Sequence, residues 1–66
     1  MRYYRYDMYL GSLYEITEKE FNRRIKSKYV FPVWDSYYQE HSKNTYYDSR
    51  DNITRIFYFR KDDDNE

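Results

Sequence analysis

The sequence predicts an α+β domain: a small antiparallel sheet of about four to five strands, in the order β-β-α-β-β-β, with one helix over about residues 18–28 packed on one face. Three observations lead there. Residues 2–10 alternate with a period of two and are rich in tyrosine, which argues strand. Thr17 and Glu20 stand in the spacing of a helix capping box. Residues 53–60 alternate again, with isoleucine and phenylalanine recurring among polar neighbours.

In the first strand, RYYRYDMY, the residues Tyr4, Tyr6, Met8 and Leu10 share one side and Tyr3, Arg5, Asp7 and Tyr9 the other. Tyr4 and Tyr6 are expected to face the core, and Tyr3, Arg5 and Tyr9 to face outward. Gly11 is the only glycine. With Ser12 it fits a two-residue type II′ turn, which requires positive φ at its first central position. That turn pairs Leu10 with Leu13 and Tyr9 with Tyr14. A one-residue slip would turn the other set inward.

The helix start is the strongest local signal. Thr17 serves as N-cap, Glu20 completes the box, and Ile16 with Phe21 forms the hydrophobic staple around it. Glu18 and Glu20 suit the positive helix start, and Arg23, Arg24, Lys26 and Lys28 its negative end. The apolar stripe of Phe21, Ile25 and Tyr29 is narrow, wide enough only to cover a sheet.

Residues 29–34 read as a strand in which Pro32 implies an edge position or a bulge. Residues 35–44 are polar, compatible with a loop or a short helical turn. Thr45-Tyr46-Tyr47, the polar connector 48–52 and the strand 53–60 read as a final hairpin. The expected core is Tyr4, Tyr6, Phe21, Phe31, Phe57 and Phe59.

Composition limits the rest. Sixty-six residues make one domain, expected over 1–61, in a size range where a single core is marginal. There is no cysteine and no alanine, and Leu, Ile and Val total eight, so 16 aromatic residues supply most of the apolar surface. Eleven of them are tyrosine. In the adjacent pairs Tyr3-Tyr4, Tyr37-Tyr38 and Tyr46-Tyr47 an extended backbone turns one ring away from the other. The net charge is zero, yet residues 1–61 alone carry +4, offset by Asp62, Asp63, Asp64 and Glu66 in an acidic tail over 62–66 that is expected to be disordered. No apolar run has the length of a membrane span and no leader pattern opens the chain. Met1 reads as a native start and the expected location is cytoplasmic.

Catalysis finds little support. His41 is the only histidine, and its QEHSKN surroundings hold no nucleophile elbow. A phosphate cradle needs several glycines. The DDDNE tail lacks the alternating spacing and central glycine of a calcium loop. The chain is therefore expected to be no enzyme, with no cofactor and no metal site.

Binding is the better-supported class. Tyrosine offers a stiff, amphipathic contact, and Tyr, Trp and Arg are enriched among binding hot spots. The candidate contact residues are Tyr3, Arg5, Tyr9, Tyr14, Tyr37, Tyr38, Tyr46 and Tyr47. A basic helix face with Lys19, Arg23, Arg24, Lys26 and Lys28 is a candidate for contacts to phosphate or an acidic surface. The leading expectation is a non-enzymatic protein-binding module that inhibits by covering a partner's surface, the partner being a nucleic-acid-handling enzyme. Small inhibitors made by phages and mobile elements, including those directed at CRISPR effectors, share this general composition, an analogy of composition alone. The alternative is a single-strand or RNA-binding module that uses the Arg/Tyr strand and the basic helix. A homodimer that repairs the small core is compatible with either.

Overall fold

The strand and helix signals produce elements of the matching type among the described residues. A computed structural model describes residues 1–50 and 56–62, in which β1 (Arg2–Asp7), β2 (Ser12–Ile16), α1 (Glu18–Ile25), β3 (Val30–Asp35), β4 (Glu40–Asp48) and β5 (Ile56–Lys61) follow one another. The five strands pair antiparallel in the order β2-β1-β5-β4-β3. The fold is α+β, with one helix against a five-stranded sheet. Helix α1 starts where the edge strand β2 ends and leads to the opposite edge strand β3, so it crosses the sheet diagonally.

The helix begins as its capping signal dictates. The Thr17 side chain accepts a hydrogen bond from the Glu20 N–H at 3.1 Å, with Thr17 itself extended at φ −81° and ψ 161°. It ends at Ile25, earlier than residue 28, because Ser27 N–H bonds back to Arg24 O at 3.1 Å and Val30 N–H to Ser27 O at 3.1 Å, winding residues 26–29 into a turn. Pro32 satisfies both of its expectations: β3 is an edge strand, and its pairing with β4 shifts register between Pro32 and Trp34.

Both tight hairpins use the same device. In the first, Asp7 pairs with Ser12, so the loop is the four residues Met8–Gly11 instead of a Gly-Ser two-residue turn. The Asp7 carboxylate accepts from Leu10 N–H at 3.1 Å, its carbonyl from Gly11 N–H at 2.7 Å, and Gly11 takes φ +69°. Tyr9 and Leu10 are consequently exposed turn residues, and Tyr14 pairs with Arg5. In the second, Asp35 pairs with Glu40, its carboxylate accepts from Tyr37 N–H at 2.9 Å and Tyr38 N–H at 3.3 Å, and Gln39 takes φ +58°. Residues 35–44 are thus the turn and first half of a nine-residue strand, β4, and not a loop or helical turn. Of the strand expected over 53–60, residues 56–60 form β5; Ile53, Thr54 and Arg55 lie outside the described residues, as do residues 63–66 of the tail.

The principal correction concerns which face is covered. The buried apolar residues are Phe21, Val30 and Tyr58, with Tyr3, Ile16, Ile25, Tyr46 and Ile56 packed against them. Phe21 is fully buried; its ring centroid lies 5.1 Å from that of Tyr3 and 5.9 Å from that of Tyr46, and the Arg60 guanidinium carbon sits 5.4 Å from it. Strand pairing puts Tyr3 opposite Ile16 and Arg60, and Arg5 opposite Tyr14 and Tyr58, all on the helix side. Tyr4 and Tyr6, expected in the core, lie on the other side, opposite Phe59 and Phe57. Phe31 is there too, opposite Tyr47. The reason is covalent. Ile16 immediately precedes the helix cap and must share the helix side with Phe21, and the β1–β2 ladder then carries Tyr3 to that side.

Candidate functional site

The β3–β4 hairpin is longer than the sheet that supports it. Strand β5 pairs with β4 only over Thr45–Asp48, so Glu40–Asn44 have no strand neighbour on that side among the described residues. The last turn of β3, the Ser36–Gln39 loop and the start of β4 therefore project as a two-stranded arm. Its root is tied down by polar contacts. Arg60 donates to Lys43 O at 2.9 Å and to Asn44 Oδ1 at 3.2 Å, while Ser42 Oγ accepts from Asn44 N–H at 3.1 Å and Thr45 N–H at 3.0 Å.

Aromatic rings cover the arm. Trp34 is 54% exposed, Tyr38 67% and Tyr37 84%. The Tyr37 and Tyr38 rings meet edge to face at 4.8 Å, and Trp34 meets His41 edge to face at 5.0 Å. Such pairs hold their rings at fixed angles without burying them. The arm presents exposed, mutually packed aromatic rings at one end of the sheet.

The predicted contact residues do not converge on one surface. Tyr37 and Tyr38 are on the arm. Tyr9 occupies the Met8–Gly11 turn, at the end of the sheet opposite the arm. Tyr14 is exposed on the helix side, with the Arg5 guanidinium carbon 5.7 Å from its ring centre. Tyr3 and Tyr46 correct the expectation of outward contact, since both pack against the Phe21 core. Burial first and the neighbouring Glu18 carboxylate second push the Tyr3 phenol above its ordinary value. Tyr47 is exposed on the face away from the helix. The adjacent pairs Tyr3-Tyr4 and Tyr46-Tyr47 do split across the sheet, whereas Tyr37-Tyr38 is a turn pair and both rings project.

The basic helix face is partly neutralised from within. Glu20 accepts from Arg23 at 2.6 Å and from Arg24 at 2.6 Å, and these two bonds, Arg23 the larger, hold its carboxyl below the ordinary value. Lys19 and Lys26 are exposed, and Lys28 Nζ lies 5.3 Å from the Tyr29 ring centre, which Arg50 approaches at 5.5 Å. Arg50 also grips Asp48 at 2.6 Å, and this direct hydrogen bonding holds the Asp48 carboxyl below its ordinary value.

Trp34 is the functional candidate that sequence reasoning missed. The available signal was a tryptophan at the end of an edge strand, immediately before the polar stretch, where no second layer is in reach. Among the described residues no three His, Cys, Asp or Glu side chains gather as a metal site would require. Nor is any helix among them long and apolar enough to cross a membrane. No protein-family model, curated protein or solved structure significantly matches this chain.

Proposed function

We propose that this chain is a small, non-enzymatic protein-binding module that inserts the β3–β4 arm into a concavity of a partner and covers it. The carrying observation is the projection of Trp34, Tyr37 and Tyr38 beyond the sheet with 54–84% of each residue open to solvent. Three such aromatics on one arm match the composition of hot-spot clusters, in which a few buried rings supply most of the binding free energy. The turn is held by Asp35 and the root by Arg60, so little conformational freedom is lost on docking. Covering a working surface is inhibition, and an inhibitor of a nucleic-acid-handling enzyme is the finer form of this reading.

The test is affinity purification of the tagged full chain with nuclease-treated and untreated arms, followed by titration of the purified partner against wild type and Trp34→Ser/Tyr37→Ser/Tyr38→Ser. The expected result is a nuclease-resistant partner whose affinity falls about 100-fold or more in the triple variant. Unchanged affinity in the triple variant refutes the arm as the contact. A partner recovered only without nuclease would favour nucleic acid as the ligand instead.

A further inference from the structure

The second surface that stands out is the face of the sheet that α1 does not cover. Tyr4, Tyr6, Phe57 and Phe59 occupy its centre, with Leu13 on one edge strand and Phe31 on the other. A soluble chain seldom leaves a contiguous apolar face of this kind open, above all with three phenylalanines that carry no polar atom. We propose that a second copy of this chain covers it, sheet against sheet, to make a face-to-face homodimer. The inference is independent of the arm.

Three considerations select a second copy as the occupant. The first is size. A sheet of five strands about 4.8 Å apart, with strands about 18 Å long, offers roughly 430 Å² in flat projection; with side-chain relief, two such faces in contact remove about 1,000 Å² from water, the lower bound for a specific interface. The second is need. Among the described apolar residues the helix side buries only Phe21, Val30 and Tyr58, a small core for an 8.5 kDa chain. A permanent partner that is present whenever the chain folds answers that need; a transient ligand does not.

The third consideration is the shape and charge of the face. The Tyr4 and Phe59 rings stack on each other at 5.1 Å and 24°, with Lys61 Nζ 6.0 Å from the Tyr4 ring centre. They lie against one another as they would in the inner layer of a sandwich, which leaves few free ring faces for unpaired bases to stack on. The chain carries no net charge, and the Arg2–Glu15 contact at 3.5 Å puts both signs at the rim of this face. Two copies therefore approach without long-range repulsion, whereas a polyanion gains little from the chain as a whole.

The experiment is sedimentation velocity on the full chain over a wide concentration series, for wild type, Leu13→Lys/Phe31→Lys and the arm triple variant. Leu13 is 58% exposed and Phe31 46% exposed, so lysine at these positions is tolerated by the single subunit while like charges oppose the dimer. Wild type and the arm variant are expected at twice 8.5 kDa, and the double lysine variant as a monomer, its dimer weakened about 100-fold or more, with unchanged circular dichroism. If that variant fails to fold, a nitroxide on Leu13→Cys, in a chain with no cysteine of its own, decides. Immobilisation that disappears on dilution supports the proposal, and a label as mobile as one on Tyr37→Cys overturns it. A strictly monomeric wild type, or a dimer that survives the two lysines, overturns it as well. Displacement of the second copy by a single-stranded oligonucleotide at low salt would assign this face to base stacking instead.

Discussion

Replacing Phe21 by alanine tests the packing account most directly. Phe21 is fully buried, the one helix side chain that is, and it touches Tyr3, Tyr46 and Arg60. A phenyl ring removes roughly 150–250 Å² from water, worth about 4–6 kcal/mol at about 25 cal/mol per Å². Because alanine retains the Cβ, measured Phe→Ala losses in cores run about 3–5 kcal/mol. A chain of 66 residues has a total stability of only about 3–10 kcal/mol at about 0.05–0.15 kcal/mol per residue. Phe21→Ala is thus expected to leave a large fraction of the chain unfolded in buffer. Phe21→Leu, which conserves most of the volume, should cost about 1–1.5 kcal/mol and lower the melting temperature by about 5–10 °C. The assay is urea denaturation followed by circular dichroism at one fixed protein concentration, since association raises apparent stability. Tyr9→Ala, at an exposed turn position, serves as the control and should stay within about 0.5 kcal/mol of wild type. A Phe21→Ala midpoint equal to that of the control would refute the helix as the element that closes this core.

Three further outcomes follow from the local geometry. Thr17→Ala removes the acceptor for Glu20 N–H and should cost about 1 kcal/mol, read as a shift in urea midpoint without a change in slope. Gly11→Ala meets no atom within 4 Å but must adopt φ +69°, so its cost, about 1–2 kcal/mol in thermal melts, should come from the backbone alone, and Gly11→Asn should recover part of it. The Glu20 carboxyl is held below its ordinary value by Arg23 and then Arg24; a depressed folded value means that the pairing stabilises the fold above the unfolded glutamate value and is lost as pH falls through the folded one. Stability measured from about pH 6 downward should therefore decline across and below the usual carboxylate range, and Glu20→Gln should show a shallower decline over the same window.

Much of the fold was legible because its signals are local. The capping box at Thr17 and Glu20 requires only a few consecutive residues, and it produced the helix start at the expected position. Pro32 lacks a backbone donor wherever it sits, so the edge strand and the register shift follow from one residue. The β1–β2 hairpin was misjudged because Gly-Ser is a good two-residue turn in isolation, and only the Asp7 carboxylate, bonded to Leu10 N–H, makes the four-residue loop the better one. The covered face was within reach of sequence reasoning. The staple places Ile16 on the helix side, and in either hairpin register Ile16 falls opposite an odd-numbered β1 residue, which brings Tyr3, Arg5 and Asp7 to that side.

The candidate site was less legible. Tyr37 and Tyr38 were identified as contact residues from their composition, but the arm that carries them arises from a mismatch in strand length between β4 and β5. No local pattern encodes such a mismatch. By itself the sequence determined the element order, the helix start, the edge character of β3 and the surplus of aromatic rings over what one core can hold, each a consequence of steric or hydrogen-bonding rules within a few residues. The tertiary structure alone decided which rings of β3, β4 and β5 the helix covers, which of them lie on the open face and how far the β3–β4 hairpin overhangs. Both faces of these strands are aromatic, so hydrophobicity does not choose between them. The chain connection through Ile16 and the pairing of strands distant in sequence make that choice.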